Sequence, residues 1–276
     1  MGYLEAIWKS IVLGTVQGLT EFLPVSSSGH LSLFQRILGY DAGGGMMFVN
    51  IMLHLGTLVA VVIVFWRDIL ALFKKPFKTL LMLIVATVAA GLVGVLAGDK
   101  IDELFAGAQG LLYLAICFAC TAVMLIVCEL VARRGMVKTR PLGWKNAVPM
   151  GILQAVALFP GISRSGSTIV AGTVSGAKRE DVAKFSFLMS IPIILGSIVF
   201  EVKDLIFPAE GSAPLAMGGP EIVGMLLGVV SAAVFGLLSI KVMLKIIGRA
   251  NYKWFAFYLV LLSMTCFWLN ALGVLA

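Results

Sequence analysis

The carboxylate of Glu21 sits between Leu19 and Phe22 in an apolar stretch, Ile7–Leu38. A charge at membrane depth is costly enough to mark a functional site by default. Just beyond it, Pro24 and then Ser26-Ser27-Ser28-Gly29 form a helix start. Serine is a good N-cap, and the first helical turn leaves N–H groups unpaired that attract anions. The run Pro160-Gly161-Ile162-Ser163-Arg164-Ser165-Gly166-Ser167-Thr168 repeats the design and adds Arg164. A guanidinium fork suits two phosphate oxygens at once. Its alternative employment is a structural ion pair with Glu21, and the two roles can coexist. His30 follows Ser27 by three residues, which puts both side chains on one helical face. An imidazole there can move a proton to or from a hydroxyl or phosphate oxygen near neutral pH. Hydroxyls, backbone donors, an acid–base pair and a fixed cation are the parts a phosphoryl-transfer site needs.

The two segments are copies of one another. Gly14–Leu31 aligns without a gap on Gly151–Thr168, matching Gly14/Gly151, Gln17/Gln154, Phe22/Phe159, Ser26/Ser163, Ser28/Ser165 and Gly29/Gly166. A looser echo follows, Leu55-Gly56-Thr57 against Leu195-Gly196-Ser197. Glu21 is replaced by Leu158 and His30 by Ser167 in the second copy, so the shared fold does not demand a carboxylate or an imidazole there. His54 has no partner visible in sequence and reads as a helix–helix hydrogen-bonding residue.

The elements that must position these residues are membrane helices. The 276-residue chain is 60% hydrophobic and 13% charged, with a mean hydropathy of +1.04, far above soluble domains. Met1–Glu5 lacks a basic leader region, so the first segment is expected to remain in the mature protein. The net charge of +7 falls between apolar runs and not on a soluble face, which argues against nucleic acid and for a topology signal. Cys117, Cys120, Cys128 and Cys266 lie inside apolar runs and read as packing residues.

Stretches long enough to cross a ~30 Å core occur at Met46–Trp66, Thr79–Gly98, Leu104–Cys128, Val182–Phe200, Ile222–Ile240 and Trp254–Ala276. Ile7–Leu38 and Asn146–Ala177 are broken near the middle by Pro, Gly and Ser, and read as helix-turn-helix re-entrant segments. Most of the 21 Lys and Arg cluster after the first and third spans, before the fourth and between the last two. The loops Gly98–Gly107 and Phe207–Glu221 carry Asp99, Asp102, Glu103, Glu210 and Glu221 against Lys100 alone. Positive-inside asymmetry then puts both termini outside. Three spans follow each re-entrant segment, an odd number, so the halves are inverted. The expected fold is an all-α polytopic membrane protein with six transmembrane helices plus two re-entrant segments, one domain over 1–276 with repeat halves near 1–135 and 140–276. Inverted repeats with broken helices place a site near the midplane, where half-helix N-termini face each other.

Gln17-x-x-x-Glu21, Pro24-Val25-Ser26-Ser27-Ser28-Gly29-His30 and the Pro160–Thr168 run carry a resemblance along essentially the whole chain. The sequence resembles the undecaprenyl-diphosphate phosphatases, also called bacitracin-resistance proteins. That resemblance implies a bacterial plasma-membrane enzyme hydrolysing undecaprenyl diphosphate to undecaprenyl phosphate and inorganic phosphate, recycling the lipid carrier of peptidoglycan synthesis. It makes Glu21 and His30 catalytic, Arg164 the diphosphate clamp and Ser27 the candidate nucleophile. Gln17, Ser26, Ser163, Ser165 and Thr168 would contact substrate. The family has Glu or Gln at the first motif position; Gln17 is neutral, so any metal role for Mg²⁺ or Ca²⁺ rests on Glu21. Whether Ser27 or water attacks, and whether His30 or Glu21 is the base, stays open, as does the oligomeric state. The competing class is a polyprenyl-phosphate transporter or flippase without hydrolysis, because the same architecture serves secondary transporters.

Overall fold

The structure is a computed structural model that describes residues 3–39, 44–135, 139–206, 219–248 and 251–274. Among the described residues ten helices follow one another: α1 (Tyr3–Glu21), α2 (Ser27–Ile37), α3 (Gly44–Leu72), α4 (Lys78–Ala106), α5 (Gly110–Arg133), α6 (Trp144–Val156), α7 (Arg164–Val174), α8 (Arg179–Ile206), α9 (Gly219–Ile246) and α10 (Lys253–Ala271). Six of them, α3, α4, α5, α8, α9 and α10, are long and apolar enough to cross a membrane. They are the six runs read from sequence, with different ends. α4 continues through Asp99, Lys100, Asp102 and Glu103 to Ala106, so the expected loop Gly98–Gly107 is helix for most of its length. The drop in hydropathy at Asp99 marks where the chain becomes polar; no proline follows to stop the hydrogen-bond ladder. Lys138, Arg249, Glu210 and most of the expected loop Phe207–Glu221 lie outside the described residues.

The other two apolar regions break where Pro, Gly and Ser cluster. One break separates α1 from α2, the other α6 from α7. α2, α6 and α7 have 11, 13 and 11 residues. At ~1.5 Å per residue none exceeds about 20 Å, short of a ~30 Å core. α1 starts at Tyr3, earlier than the broken region suggested, and has 19 residues.

α1 is clamped along its length. Ala6, Ser10, Gly14 and Gly18 meet Gly224, Gly228, Ala232 and Gly236 of α9, both series at four-residue spacing. In lipid, close backbone approach over small residues replaces the hydrophobic drive between helices. A Cβ on Gly18 would lie 2.6 Å from the Ala232 carbonyl oxygen, and one on Gly14 would overlap the Gly228 carbonyl. The Ser239 hydroxyl donates to the Leu19 carbonyl at 3.0 Å, two residues before Glu21. Phe22, fully buried, sets its ring edge against Phe187 of α8 at 5.6 Å between centroids. The end of α1 that carries Glu21 is therefore held from two sides. Gly14→Val is expected to cost about 1–3 kcal/mol by overpacking, read as a lower thermal midpoint in detergent. Gly91→Val, where a Cβ meets nothing within 4 Å, is the matched control.

Some residues counted as topology charges have a second employment. Glu129 of α5 is 3% exposed and accepts from Arg133 at 2.6 Å and Arg179 at 2.9 Å. The Arg179 guanidinium also lies over the Tyr252 ring, 4.6 Å from its centroid. This clasp joins the end of α5 to the start of α8 and the α9–α10 turn. Cys117, Cys128 and Cys266 are buried among the helices, whereas Cys120 is exposed.

Candidate active site

The two breaks pack against each other. Ser26 caps α2: its Oγ accepts from the Gly29 N–H at 3.4 Å and, across the interface, from the Gly161 N–H at 3.1 Å. In return the Ser165 hydroxyl donates to the Leu23 carbonyl at 2.7 Å. A Cβ on Gly29 would stand 2.8 Å from Gly161 Cα, and one on Gly166 would come within 3.5 Å of Pro24. Gly29 and Gly166 are equivalents in the two copies, as are Pro24 and Gly161, so the same contact is made twice. Ser163 caps α7, accepting from the Gly166 N–H at 3.0 Å. Its own N–H goes to Thr121 Oγ1 of α5 at 3.1 Å. Ser26 has φ 68°, a region that costs a non-glycine residue about 1–3 kcal/mol.

The Ser26 carbonyl is held from above by His30, whose Nδ1–H donates to it at 2.7 Å. That bond fixes the neutral tautomer, so Nε2 accepts from the Tyr258 hydroxyl of α10 at 2.6 Å, and the two rings stack at 5.6 Å. His30 is 2% exposed. Both of its nitrogens are engaged away from Ser27, although the two residues share a helical face. Tyr258→Phe would leave Nε2 buried without a donor, a loss of about 1–3 kcal/mol, again read from the thermal midpoint.

Glu21 gathers the remaining polar groups. Its Oε1 accepts from Arg164 Nη2 at 3.0 Å. Its Oε2 accepts from the Ser27 hydroxyl at 2.5 Å and from Gln17 Nε2 at 3.1 Å, and His54 Nε2 lies 3.9 Å from it. The Glu21 side chain is 5% exposed and that of Arg164 14%. Arg164 is steadied by donating from Nη1 to the Ser186 carbonyl of α8 at 3.2 Å. Gln17, expected at the substrate, orients the carboxylate and reaches Thr57 Oγ1 at 3.5 Å.

The other expected contacts are engaged within the protein. The Ser163 and Ser165 hydroxyls lie 3.3 Å apart, with Ser165 committed to Leu23. Thr168 Oγ1 reaches the Arg164 carbonyl at 2.9 Å and pairs with Ser186 Oγ at 2.7 Å. These hydroxyls build the frame. The donors left facing out are positional: the N–H groups of Ser27, Ser28, Arg164 and Ser165 head their helices and have no intrahelical partner.

Sequence reasoning missed Thr121, Ser186 and Tyr258, and it gave His54 no partner. His54 faces Glu21 from α3, while its Nδ1–H is taken by the Asn50 carbonyl at 2.8 Å. Its separation from Asn50 by one helical turn was visible; its approach to α1 was not. The carboxylate of Glu21, the expected metal contact, is engaged within the protein. Both of its oxygens are taken, and among the described residues no group of three or more His, Cys, Asp or Glu comes together. A single engaged carboxylate is a poor match for divalent cations that want six or more oxygens.

Six apolar spans around two broken helix pairs, with a carboxylate, a guanidinium and a serine joined between their facing turns, define a multi-pass membrane protein with a buried polar site. The family described as bacitracin resistance protein BacA matches residues 10–265. An undecaprenyl-diphosphatase of Carboxydothermus hydrogenoformans is 39% identical over 269 residues, covering 96% of this chain and 98% of its own. One of Methanosphaera stadtmanae is 35% identical, covering 94% and 96%. Undecaprenyl-diphosphatase 4 of Bacillus thuringiensis subsp. konkukian is 38% identical, covering 94% and 93%. The chain belongs to the BacA bacitracin resistance family.

Proposed function

We propose that the chain hydrolyses undecaprenyl diphosphate to undecaprenyl phosphate and inorganic phosphate, returning the lipid carrier to peptidoglycan synthesis and conferring resistance to bacitracin. The observation that carries this reading is the chain of contacts Ser27–Glu21–Arg164 at the N-termini of α2 and α7. Two helix starts supply backbone N–H groups for phosphate oxygens. Arg164 gives one N–H to Glu21 and one to the Ser186 carbonyl, and its remaining N–H groups are left for the diphosphate.

Ser27 Oγ attacks the terminal phosphorus and gives its proton to Glu21, whose carboxylate it already meets. Between the two candidate bases, the geometry favours Glu21, since His30 is locked on Ser26 and Tyr258. His30 holds the Ser26 turn, and with it the start of α2. The polyprenyl phosphate leaves as an anion, so Arg164 and the helix-start N–H groups stabilise the charge that develops. A Mg²⁺ or Ca²⁺ ion carried by the diphosphate would neutralise part of its charge; no protein ligand set is needed for that.

The fold reading that goes with this chemistry is an inverted repeat whose two halves, near 1–135 and 140–276, each contribute one re-entrant pair to a single domain. The packing supports it: α1 lies on α9 as α6 lies on α4, and α3 meets α9 as α8 meets α4. Exchanging the halves reproduces these pairings. The distribution of Lys and Arg supports termini and site opening on the extracytoplasmic face, with the polyprenyl tail between helices in the bilayer.

The experiment is phosphate release from undecaprenyl diphosphate by purified protein in detergent, where no compartments exist. Steady release supports the enzyme. Folded protein that releases no phosphate yet moves the lipid across liposomes would replace it with the transporter.

A further inference from the structure

The proton that Ser27 hands to Glu21 must leave again, because Glu21 has to be a carboxylate for each turnover. Arg164 cannot accept it, and His30 has both nitrogens engaged. His54 is placed differently. Its Nδ1–H is held by the Asn50 carbonyl at 2.8 Å, so the Nε2 lone pair is the atom aimed at Glu21 Oε2, 3.9 Å away. A bare lone pair opposite a carboxylate oxygen is unfavourable; a proton on either group makes the pair attractive. The backbone of α3 at His54 joins the same network. The Thr57 hydroxyl donates to the His54 carbonyl at 2.9 Å, and Gln17, which holds Glu21, reaches the same hydroxyl at 3.5 Å. α3 and α1 are thus tied at the level of the His54–Glu21 approach. The His54 side chain is 28% exposed, which gives its proton a way out that His30 lacks.

We propose that His54 is the proton-relay partner of Glu21, a role that rests on the phosphatase reading of the site. As Ser27 Oγ bonds to the terminal phosphorus, the bond to the bridging oxygen breaks and the polyprenyl phosphate leaves with its electron pair. The Ser27 proton passes to Glu21 Oε2 and on to His54 Nε2. When water then attacks the phosphoserine, Glu21 takes the water proton, Ser27 Oγ leaves phosphorus and recovers one proton, and the surplus proton leaves through His54. One water is consumed and one proton is released per turnover.

The groups facing His54 are few. Glu21 of α1 is the ionisable partner, with Arg164 of α7 behind the same carboxylate. Between Lys184 and Glu201 in α8, between Glu221 and Lys241 in α9, and between Lys78 and Asp99 in α4 there is no His, Cys, Asp, Glu, Tyr, Lys or Arg. A change in the acid limb therefore reports on the His54–Glu21 pair.

The test is the pH dependence of phosphate release for the parent, His54→Gln and His54→Ala, all with undecaprenyl diphosphate in detergent. Gln sets an amide nitrogen near the Nε2 position but takes up no proton near neutral pH. An imidazole accepts a proton only in its neutral form, so the advantage of a histidine relay over glutamine is lost toward acid pH. His54→Gln should lose about tenfold in kcat at neutral and higher pH, less than the ~10²–10⁴-fold of a group in direct contact, with KM unchanged. The parent-to-variant ratio should shrink toward one on the acid side, a comparison that cancels titration of the substrate. Added imidazole should restore His54→Ala in part and leave His54→Gln unmoved. A parent-to-variant ratio constant with pH, or a His54→Ala variant indifferent to imidazole, would overturn the relay while leaving the phosphatase reading standing. A parent without phosphate release would remove both.

Discussion

Exchanging Glu21 for Gln and Arg164 for Met in one chain is expected to leave a folded membrane protein that releases no phosphate from undecaprenyl diphosphate. Each single exchange strands a charge. With Glu21→Gln the guanidinium loses the partner 3.0 Å away, and with Arg164→Met the carboxylate does. Breaking a buried pair from one side costs about 3–5 kcal/mol, so either single variant can lose activity merely by unfolding. The double exchange removes both charges, and neutral replacement of a buried pair is often close to neutral for stability. Its thermal midpoint should therefore sit nearer the parent than either single variant's. Catalysis has no such compensation. The proton acceptor for Ser27 is gone, a loss of about 10²–10⁴-fold, and so is the fixed cation, about 10²–10³-fold by analogy with other charge-stabilising donors. Phosphate release should fall at least ~10³-fold. A double variant that turns over like the parent would mean that the pair is structural and that the site lies elsewhere.

That pair shows how far the sequence carries. Glu21 and Arg164 stand out because each is a charge inside one copy of a repeat whose other copy lacks it, and the repeat itself predicts that the two turns meet. Ser26 and Ser163 likewise declare themselves as caps, since local N–H groups are all a cap requires. Contacts between distant helices are a different matter. Tyr258 reaches His30 from 228 residues away, and no periodicity in α10 marks it apart from the lipid-facing aromatics around it. His54 reads in sequence as a helix–helix residue without a visible partner, and its Nδ1–H bonds one turn back, to Asn50. Its meeting with Glu21 depends on how closely α3 is drawn in, where a Cβ on Gly56 would stand 2.5 Å from the Val229 carbonyl oxygen of α9. The length of α4 was misread for a simpler reason: hydropathy reports where polar residues begin, while the helix ends where its hydrogen bonds end.

Ser27→Ala carries the second large expected effect. The Ser27 hydroxyl lies 2.5 Å from Glu21 Oε2 at the first residue of α2, so its proton has an acceptor and its oxygen stands at the mouth of a helix start. Phosphate bound there would be within reach of the oxygen whose proton Glu21 takes. If that oxygen attacks, Ser27→Ala should fall by ~10³-fold or more, in line with the loss of an activated nucleophile together with its general base. Acid quenching of the parent during turnover should then trap phosphate on Ser27, detectable by mass spectrometry of the peptide that contains it. The variant should remain folded, because a serine at this position caps nothing: Ser26 makes that bond. Activity within tenfold of the parent, with no phosphoserine in the quenched parent, would assign the attack to water. Glu21 would then take the proton of that water in place of the hydroxyl's, and Ser27 would serve only to keep the carboxylate turned toward the two helix starts.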